Sequence, residues 1–160
     1  MTQEPKQRLA MVIDDSRAMR GILRRILLPL GFEVREAVNG KDALDQIWND
    51  DLHPVVALTD WNMPEMNGLE FVVAIRKQKH LRQMTLMMVT TESEHGQIVR
   101  ALAAGAHEYV VKPFTAEVIV EKLRYLGLTE LPDAQPAGAA GSAGAAVAAV
   151  TAGAAVAAGN

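Results

Sequence analysis

The stretch that decides the fold of this 160-residue chain is VVALTDWNMPEMNG, residues 55–68. Its first part is a continuous apolar run, which is typical of a strand covered by helices on both faces of a parallel sheet. Asp60 ends that run. Pro64 and Gly68 make the following residues a rigid turn that leads into a helix and directs the Asp60 carboxylate outward. The stretch therefore predicts a buried strand that presents an acid at its carboxyl end.

A strand followed by a helix occurs five times along the chain. The predicted strands are 9–13, 33–37, 55–59, 85–89 and 108–111, and the predicted helices are 16–30, 41–49, 69–77, 96–104 and 115–126. Repeated units of this kind predict an α/β fold with a parallel sheet and right-handed crossovers. The second strand, EVREA, alternates in polarity and should lie at an edge of the sheet.

Four of the predicted strands end in groups that chemistry can use. Asp14 and Asp15 follow the first strand, Asp60 the third, Thr90 the fourth and Lys112 the fifth. The carboxyl ends of parallel strands share one edge of the sheet, where such folds bind ligands. Three carboxylates suit Mg²⁺, and adjacent acids repel unless a cation lies between them. The lysine and the hydroxyl suit the oxygens of a phosphoryl group.

The first predicted helix carries four arginines, Arg17, Arg20, Arg24 and Arg25. Apolar residues at helical spacing predict its buried stripe, which comprises Met19, Ile22, Leu23, Ile26, Leu27 and Leu30. The arginines are therefore interpreted as the solvent-exposed face of that helix. The alternative is a docking surface beside the acids.

Composition limits the remaining possibilities. The net charge of −3 gives no basic surface for nucleic acid, and the absence of cysteine excludes disulfides and thiolate chemistry. No signal peptide is apparent, and the apolar run at residues 145–158 is too short to span a bilayer. We expect a cytoplasmic protein without membrane contact. Residues 1–7 are predicted to be flexible, residues 8–131 to form the domain, and residues 132–160 to be a disordered tail rich in Ala and Gly.

Four segments in order, VIDDS, DWNMPEMNG, MVTTES and GAHEYVVKPFT, resemble the motifs of two-component receiver domains. Among these, the chain is most similar to the stand-alone chemotaxis regulators of the CheY type. The resemblance covers about residues 8–127. It implies a flavodoxin-like, doubly wound sheet of five parallel strands in the order 2-1-3-4-5 with five helices.

The resemblance also implies roles for the acids and the lysine. Asp60 is similar to the phosphoacceptor, which takes the phosphoryl group from a phosphohistidine. Asp15, Asp60 and the backbone carbonyl of Asn62 would hold Mg²⁺, while Asp14 would act mainly through a bound water. Lys112 would reach the phosphoryl group, and the peptide bond between Lys112 and Pro113 is expected to be cis.

A switch is implied as well. Thr90 would hydrogen-bond the phosphoryl group, and Tyr109 resembles the aromatic residue that turns inward as the threonine moves. Phosphorylation would thus bias two surface states. Thr91 departs from the family, which usually has a small residue there, and its branched side chain could narrow access for a phosphodonor or phosphatase. Asn62 and Glu92 flank the site.

The resulting hypothesis is a single-domain response regulator that is phosphorylated by a histidine kinase and is not an enzyme acting on a free substrate. Its output would be protein contact through the fourth helix, fifth strand and fifth helix, around Ala101, Tyr109 and Lys122. The target would be a flagellar motor switch protein or a phosphotransferase in a relay. A Mg²⁺-dependent phosphohydrolase of small molecules is an alternative, but the acids are adjacent instead of Asp-x-Asp and no cap-sized insertion exists. A scaffold that has lost phosphorylation is the third possibility.

Overall fold

A computed structural model describes residues 8–129, and these contain a five-stranded parallel sheet. The strands are β1 (Arg8–Ile13), β2 (Phe32–Ala37), β3 (Val56–Thr59), β4 (Thr85–Thr90) and β5 (Glu108–Val111). Their order is β2-β1-β3-β4-β5, which confirms the predicted topology and places β2 at an edge. The predictions for residues 1–7 and 132–160 lie outside the described residues.

Five α-helices connect or follow the strands, also as predicted. They are α1 (Arg17–Leu27), α2 (Gly40–Asn49), α3 (Gly68–Lys77), α4 (His95–Ala104) and α5 (Ala116–Tyr125). The first helix is shorter than expected, because α1 ends at Leu27 and a 3₁₀ turn containing Pro29 follows. Gly31 then reverses the chain at φ +89°, a conformation that glycine adopts without steric cost.

Capping side chains define where these helices begin. Ser16 Oγ accepts a hydrogen bond from the Met19 N–H at 3.2 Å and so caps α1. At α3, Asn67 Oδ1 accepts from the Glu70 N–H at 2.8 Å, and Glu70 Oε1 accepts from the Asn67 N–H at 3.2 Å. This reciprocal capping box fixes the start of α3 directly after the turn that begins at Asp60.

The register of the central strands brings their carboxyl ends level with one another. Ile13 at the end of β1 lies opposite Thr59 at the end of β3, and Thr59 lies opposite Met88 of β4. The side chains of all three are fully buried, so the register also holds the core together. The residues that follow β1 and β3 therefore leave the sheet at the same edge.

Only two of the six residues of the predicted α1 stripe are fully buried in the core. Leu23 and Leu27 are buried, but Ile22 is 39 % exposed. Ile22 precedes Leu23 on the helix, which turns it away from the line that Leu23 and Leu27 make at i, i+4. Met19, Ile26 and Leu30 are partly buried, so the fully buried face of α1 is narrower than the predicted stripe.

Within the described range, residues 8–119 form one compact unit, and residues 120–129 fall outside it. All the candidate site residues belong to the first unit. Among residues 8–129, no helix combines the length and the apolar character that crossing a bilayer requires.

Candidate functional site

Three acids meet where β1 and β3 end. Asp14, Asp15 and Asp60 each offer a carboxylate oxygen, and these oxygens lie within 4.8 Å of one another. Asp14 is buried, Asp60 is partly buried and Asp15 is exposed. The cluster thus runs from the protein interior at Asp14 to solvent at Asp15.

The backbone around Asp60 leaves its carboxylate little freedom. The Asp60 N–H donates to the Ile13 carbonyl at 2.9 Å, and Asp60 Oδ1 accepts from the Trp61 N–H at 2.7 Å. The turn then folds back, and the Gly68 N–H donates to the Trp61 carbonyl at 2.8 Å. A Cβ at Gly68 would lie 2.0 Å from the Asp60 carbonyl oxygen. Only glycine fits there, so the turn requires Gly68.

Lys112 brings a positive charge to the acids. Its Nζ donates to Asp14 Oδ2 at 2.8 Å and to Asp60 Oδ2 at 3.3 Å, and its side chain is 12 % exposed. The Lys112 N–H donates to the Thr90 carbonyl at 2.8 Å, and the peptide bond to Pro113 is cis, as expected. The ammonium therefore lies between a buried and a partly buried carboxylate.

The charges of this cluster do not balance. Burial raises the pKa of Asp14 above its usual value, and the charge of Asp60 adds a smaller upward contribution. Hydrogen bonds from Lys112 and from the Ser16 N–H, with the lysine's charge, act in the opposite direction. With all three acids ionised, one ammonium leaves two negative charges uncompensated. Hard oxygen donors with this excess fit a small divalent cation such as Mg²⁺.

Glu92 joins the two residues proposed to form the switch. Thr90 is buried at the end of β4, and its Oγ1 accepts a hydrogen bond from the Glu92 N–H at 3.3 Å. The Tyr109 hydroxyl donates to the Glu92 carbonyl at 2.6 Å. Burial, followed by the charges of Glu92 and Asp60, raises the pKa of Tyr109 to about 12. Tyr109 is thus a buried, protonated donor, and both Thr90 and Tyr109 contact the main chain of Glu92.

The exposed rim of the site carries a second contact to Glu92. Asn62 Nδ2 donates to Glu92 Oε1 at 2.7 Å, which links the Asp60 turn to the segment after β4. Thr91 lies between the buried Thr90 and Glu92 and is itself exposed. Its side chain is therefore at the surface, where the predicted effect on access to the site would arise.

One residue near the acids was misread from the sequence. Arg20 was interpreted as part of the exposed face of α1, but its side chain is only 13 % exposed and its Nη1 donates to the Asp14 carbonyl at 2.7 Å. The prediction holds for Arg17, Arg24 and Arg25, which are exposed. The helical period contained the signal, since Arg20, Leu23 and Leu27 are spaced i, i+3 and i+7.

Comparison with known proteins agrees with this fold. Residues 10–124 match the family model of the response regulator receiver domain. The chain belongs to the response regulator receiver family. It is a receiver domain of the CheY type, a class that acts in two-component signalling.

Individual relatives place it near the chemotaxis regulators. The chain is 47 % identical over 115 residues to the chemotaxis protein CheY homolog of Campylobacter jejuni, covering 71 % of this chain and 87 % of the relative. It is 42 % identical over 114 residues to the chemotaxis protein CheY1 of Helicobacter pylori, covering 71 % and 91 %. The crystallised CheY4 of Vibrio cholerae superposes with a TM-score of 0.69 at 32 % identity, covering 75 % of this chain and 98 % of that one.

Proposed function

We propose that the protein is a single-domain response regulator that accepts a phosphoryl group from a histidine kinase on Asp60. The observation that carries the proposal is the contact of Lys112 Nζ with both Asp14 and Asp60, at 2.8 and 3.3 Å, inside a cluster of three acids. An ammonium at this place can transfer its hydrogen bond from the free carboxylate to a phosphoryl oxygen. A purely structural ion pair would not need the second and third acids.

The residues divide the chemistry among them. An Asp60 carboxylate oxygen forms the new bond to phosphorus while the bond from phosphorus to the donor's histidine nitrogen breaks, and the nitrogen keeps the electron pair. The Trp61 N–H holds Asp60 Oδ1 at 2.7 Å and orients the carboxylate for this attack. Lys112 meets the negative charge that the phosphoryl oxygens bring to the site.

Mg²⁺ is the cofactor that the donor set fits best. Asp15, Asp60 and the main-chain carbonyl of Asn62 would hold the ion, with Asp14 acting through a bound water. When bound, the ion neutralises charge on the carboxylates and on the phosphoryl group. Because the uncompensated acids repel one another, the same ion also stabilises the folded site.

The output would follow from the contacts at Glu92. If Thr90 Oγ1 turns to a phosphoryl oxygen, it loosens its 3.3 Å hydrogen bond from the Glu92 N–H. The Glu92 carbonyl also accepts from the Tyr109 hydroxyl, so a change in this segment alters how Tyr109 is held. Phosphorylation would thereby shift the population of two states of the surface near α4 and β5.

The names of the relatives favour chemotaxis as the pathway. We propose that residues 8–131 form the working domain, that it acts in the cytoplasm, and that its target is a motor switch protein. An intermediate that passes phosphate to a phosphotransferase uses the same chemistry and is the second candidate. A phosphatase would share the entrance that Thr91 borders. In either case the protein turns over only its own phosphoryl group.

The test is phosphorylation with acetyl phosphate and Mg²⁺, followed by intact mass. The wild-type protein should gain the mass of one phosphoryl group, and Asp60→Asn should gain none. Asp51→Asn is the matched control, because Asp51 is an exposed acid at φ +48°, a conformation that asparagine also tolerates. Equal labelling of Asp60→Asn and wild type would show that the phosphoacceptor lies elsewhere.

A further inference from the structure

The main chain of Asp14, the first of the two adjacent acids, is held at both its N–H and its carbonyl. The Asp14 N–H donates to the carbonyl of Ala37, the last residue of β2, at 3.0 Å. The Asp14 carbonyl lies beyond the end of β1, and Arg20 Nη1 donates to it at 2.7 Å. A carbonyl that leaves a sheet needs another donor. Here the donor is a cationic side chain from α1.

Arg20 is itself fixed in place. Its Nε donates to Glu36 Oε1 at 3.2 Å, and its side chain is largely buried. Arg24, one turn further along α1, approaches the other oxygen of Glu36 at 3.5 Å but remains 45 % exposed. The planar guanidinium of Arg20 thus spans a main-chain oxygen and a carboxylate, a geometry for which a lysine has no equivalent.

We propose that Arg20 is a positioning residue for the metal site. A peptide bond is planar, so fixing the Asp14 carbonyl also fixes the direction in which the chain enters Asp15. The Asp15 carboxylate is exposed and forms no ion pair within residues 8–129, so the direction of the main chain decides where that carboxylate lies. Arg20 therefore holds Asp15 towards Asp14 and Asp60. The inference rests on the proposed Mg²⁺ site.

The charge of Arg20 and its positioning role predict opposite changes in Mg²⁺ affinity when Arg20 is replaced. A guanidinium near the site repels Mg²⁺, so an effect of charge alone would make the metal bind more tightly once Arg20 is neutralised. An effect of position would make the metal bind more weakly, because Asp15 would lose its alignment. Groups that orient metal ligands typically contribute about 10- to 100-fold in metal affinity. The sign of the change in affinity therefore distinguishes the two effects.

The experiment is a Mg²⁺ titration of the full chain. Trp61 adjoins Asp60, and replacing Trp48, the other of the two tryptophans, by Phe makes Trp61 fluorescence the only indole signal. In this background Arg20→Gln should weaken Mg²⁺ binding about 10-fold. The control Arg24→Gln removes the same charge from the same helix and the same Glu36, without touching Asp14, and should bind Mg²⁺ as the parent does.

Two further variants and a melting experiment test the interpretation. Arg20→Lys keeps the charge but not the planar fork and should restore only part of the affinity. Glu36→Gln leaves Arg20 charged but weakens the ion pair that holds its guanidinium, so it should also weaken Mg²⁺ binding. This variant replaces Arg20→Gln in the test if Arg20→Gln does not fold. Thermal melting without Mg²⁺ separates loss of fold from loss of the site.

Failure of the Arg20 inference can be distinguished from failure of the proposed Mg²⁺ site. If the parent binds Mg²⁺ and Arg20→Gln binds it equally or more tightly, Arg20 does not position the site and the inference is wrong. If Arg24→Gln weakens binding as much as Arg20→Gln does, the effect is a general one of α1 charge, and the inference is again wrong. If the parent itself binds no Mg²⁺, the proposed function fails first.

Discussion

The two ends of the sheet differ in how their charged side chains are compensated. At the carboxyl ends of β1 and β3, Asp14, Asp15 and Asp60 lie together, and a single ammonium contacts two of them, Asp14 and Asp60. With all three acids ionised, negative charge is in excess. At the amino ends of β4 and β5, one cation is surrounded by neutral oxygens. That second group is the arginine clamp, which consists of Arg76 and the carbonyls of Gly105, Arg82 and Met84.

The arginine clamp satisfies its charge internally. Arg76 Nε and Nη2 donate to the Gly105 carbonyl at 3.0 and 2.8 Å, and Nη1 donates to the carbonyls of Arg82 and Met84 at 2.9 and 3.0 Å. Burial lowers the pKa of Arg76. The contacts join the end of α3 to the turns that precede β4 and β5.

The difference shows how one fold separates stability from function. Each of the three guanidinium nitrogens of Arg76 donates to a main-chain oxygen. The clamp therefore needs no ligand to satisfy its hydrogen bonds, and its contribution is to stability. The acids at the other end repel one another, and their arrangement becomes favourable only when a cation compensates their charge. Mutations at the two ends should therefore have different signatures, in stability at one end and in metal or phosphoryl binding at the other.

The largest effect is expected at the turn that follows Asp60. Gly68→Ala places a Cβ 2.0 Å from the Asp60 carbonyl oxygen, so the turn must open. We expect a loss of about 3 kcal/mol or more in the free energy of unfolding, together with slower phosphorylation. Urea unfolding measures the first. Gly96→Ala is the control, since a Cβ there meets nothing within 4 Å and the change should stay within about 1 kcal/mol.

Next in size is the loss of an acid from the cluster. Asp15→Ala should weaken Mg²⁺ binding about 100-fold, which corresponds to about 2.7 kcal/mol. Because the substitution removes a repelling charge, the melting temperature without Mg²⁺ should be unchanged or higher. Trp61 fluorescence and thermal melting report the two quantities. Unaltered Mg²⁺ affinity would show that the metal site does not lie at this end of the sheet.

A substitution in the arginine clamp should lower the stability of the fold and leave phosphorylation unchanged. Arg76→Met removes the partly buried hydrogen bonds to the carbonyls of Gly105 and Met84 and the exposed one to Arg82, and should cost about 2 kcal/mol in the free energy of unfolding. Labelling by acetyl phosphate should continue at the wild-type rate in the folded fraction. Arg82→Met is the matched control, because Arg82 contributes only its main-chain carbonyl. A strong loss of labelling in Arg76→Met would remove the contrast between the two ends.

The smallest effect concerns pH. His107 Nδ1 accepts a hydrogen bond from the Leu86 N–H at 3.1 Å and lies 3.1 Å from Arg76 Nη2. Burial and the charge of Arg76 lower the pKa of His107 below the usual 6.5. As the pH falls, His107 therefore becomes protonated in the unfolded chain at a higher pH than in the folded protein. The free energy of unfolding should then decrease as the pH falls through 6.5 towards the lower pKa of the folded state.

Denaturant titrations at several pH values between neutral and acidic measure this dependence. His107→Gln should flatten it, because glutamine does not titrate. His80→Gln, on the surface turn Lys79–Leu81, should retain the slope. Equal slopes in wild type and His107→Gln would show that the proton binds elsewhere.

The sequence by itself determined that the chain forms parallel strands and which residues stand at their ends. Continuous apolar runs mark the strands, and a parallel register brings Asp14, Asp60 and Lys112 to one edge, so local pattern was enough for both. The order of the strands came from the family resemblance, and the structure confirms it. The roles of the site residues came from the family resemblance and remain proposals. The helix boundaries differ from prediction mainly at α1, where Pro29 turns the last residues into a 3₁₀ turn.

Only the tertiary structure decided how the charged side chains are used. Arg20 meets Glu36 across 16 residues of sequence, and Arg76 meets Gly105 across 29. The helical period places Arg20 beside the buried face of α1, but local spacing does not show which distant group either arginine contacts. Burial of those two guanidinium groups depends on where α1 and α3 pack against the sheet, which is a long-range property of the fold.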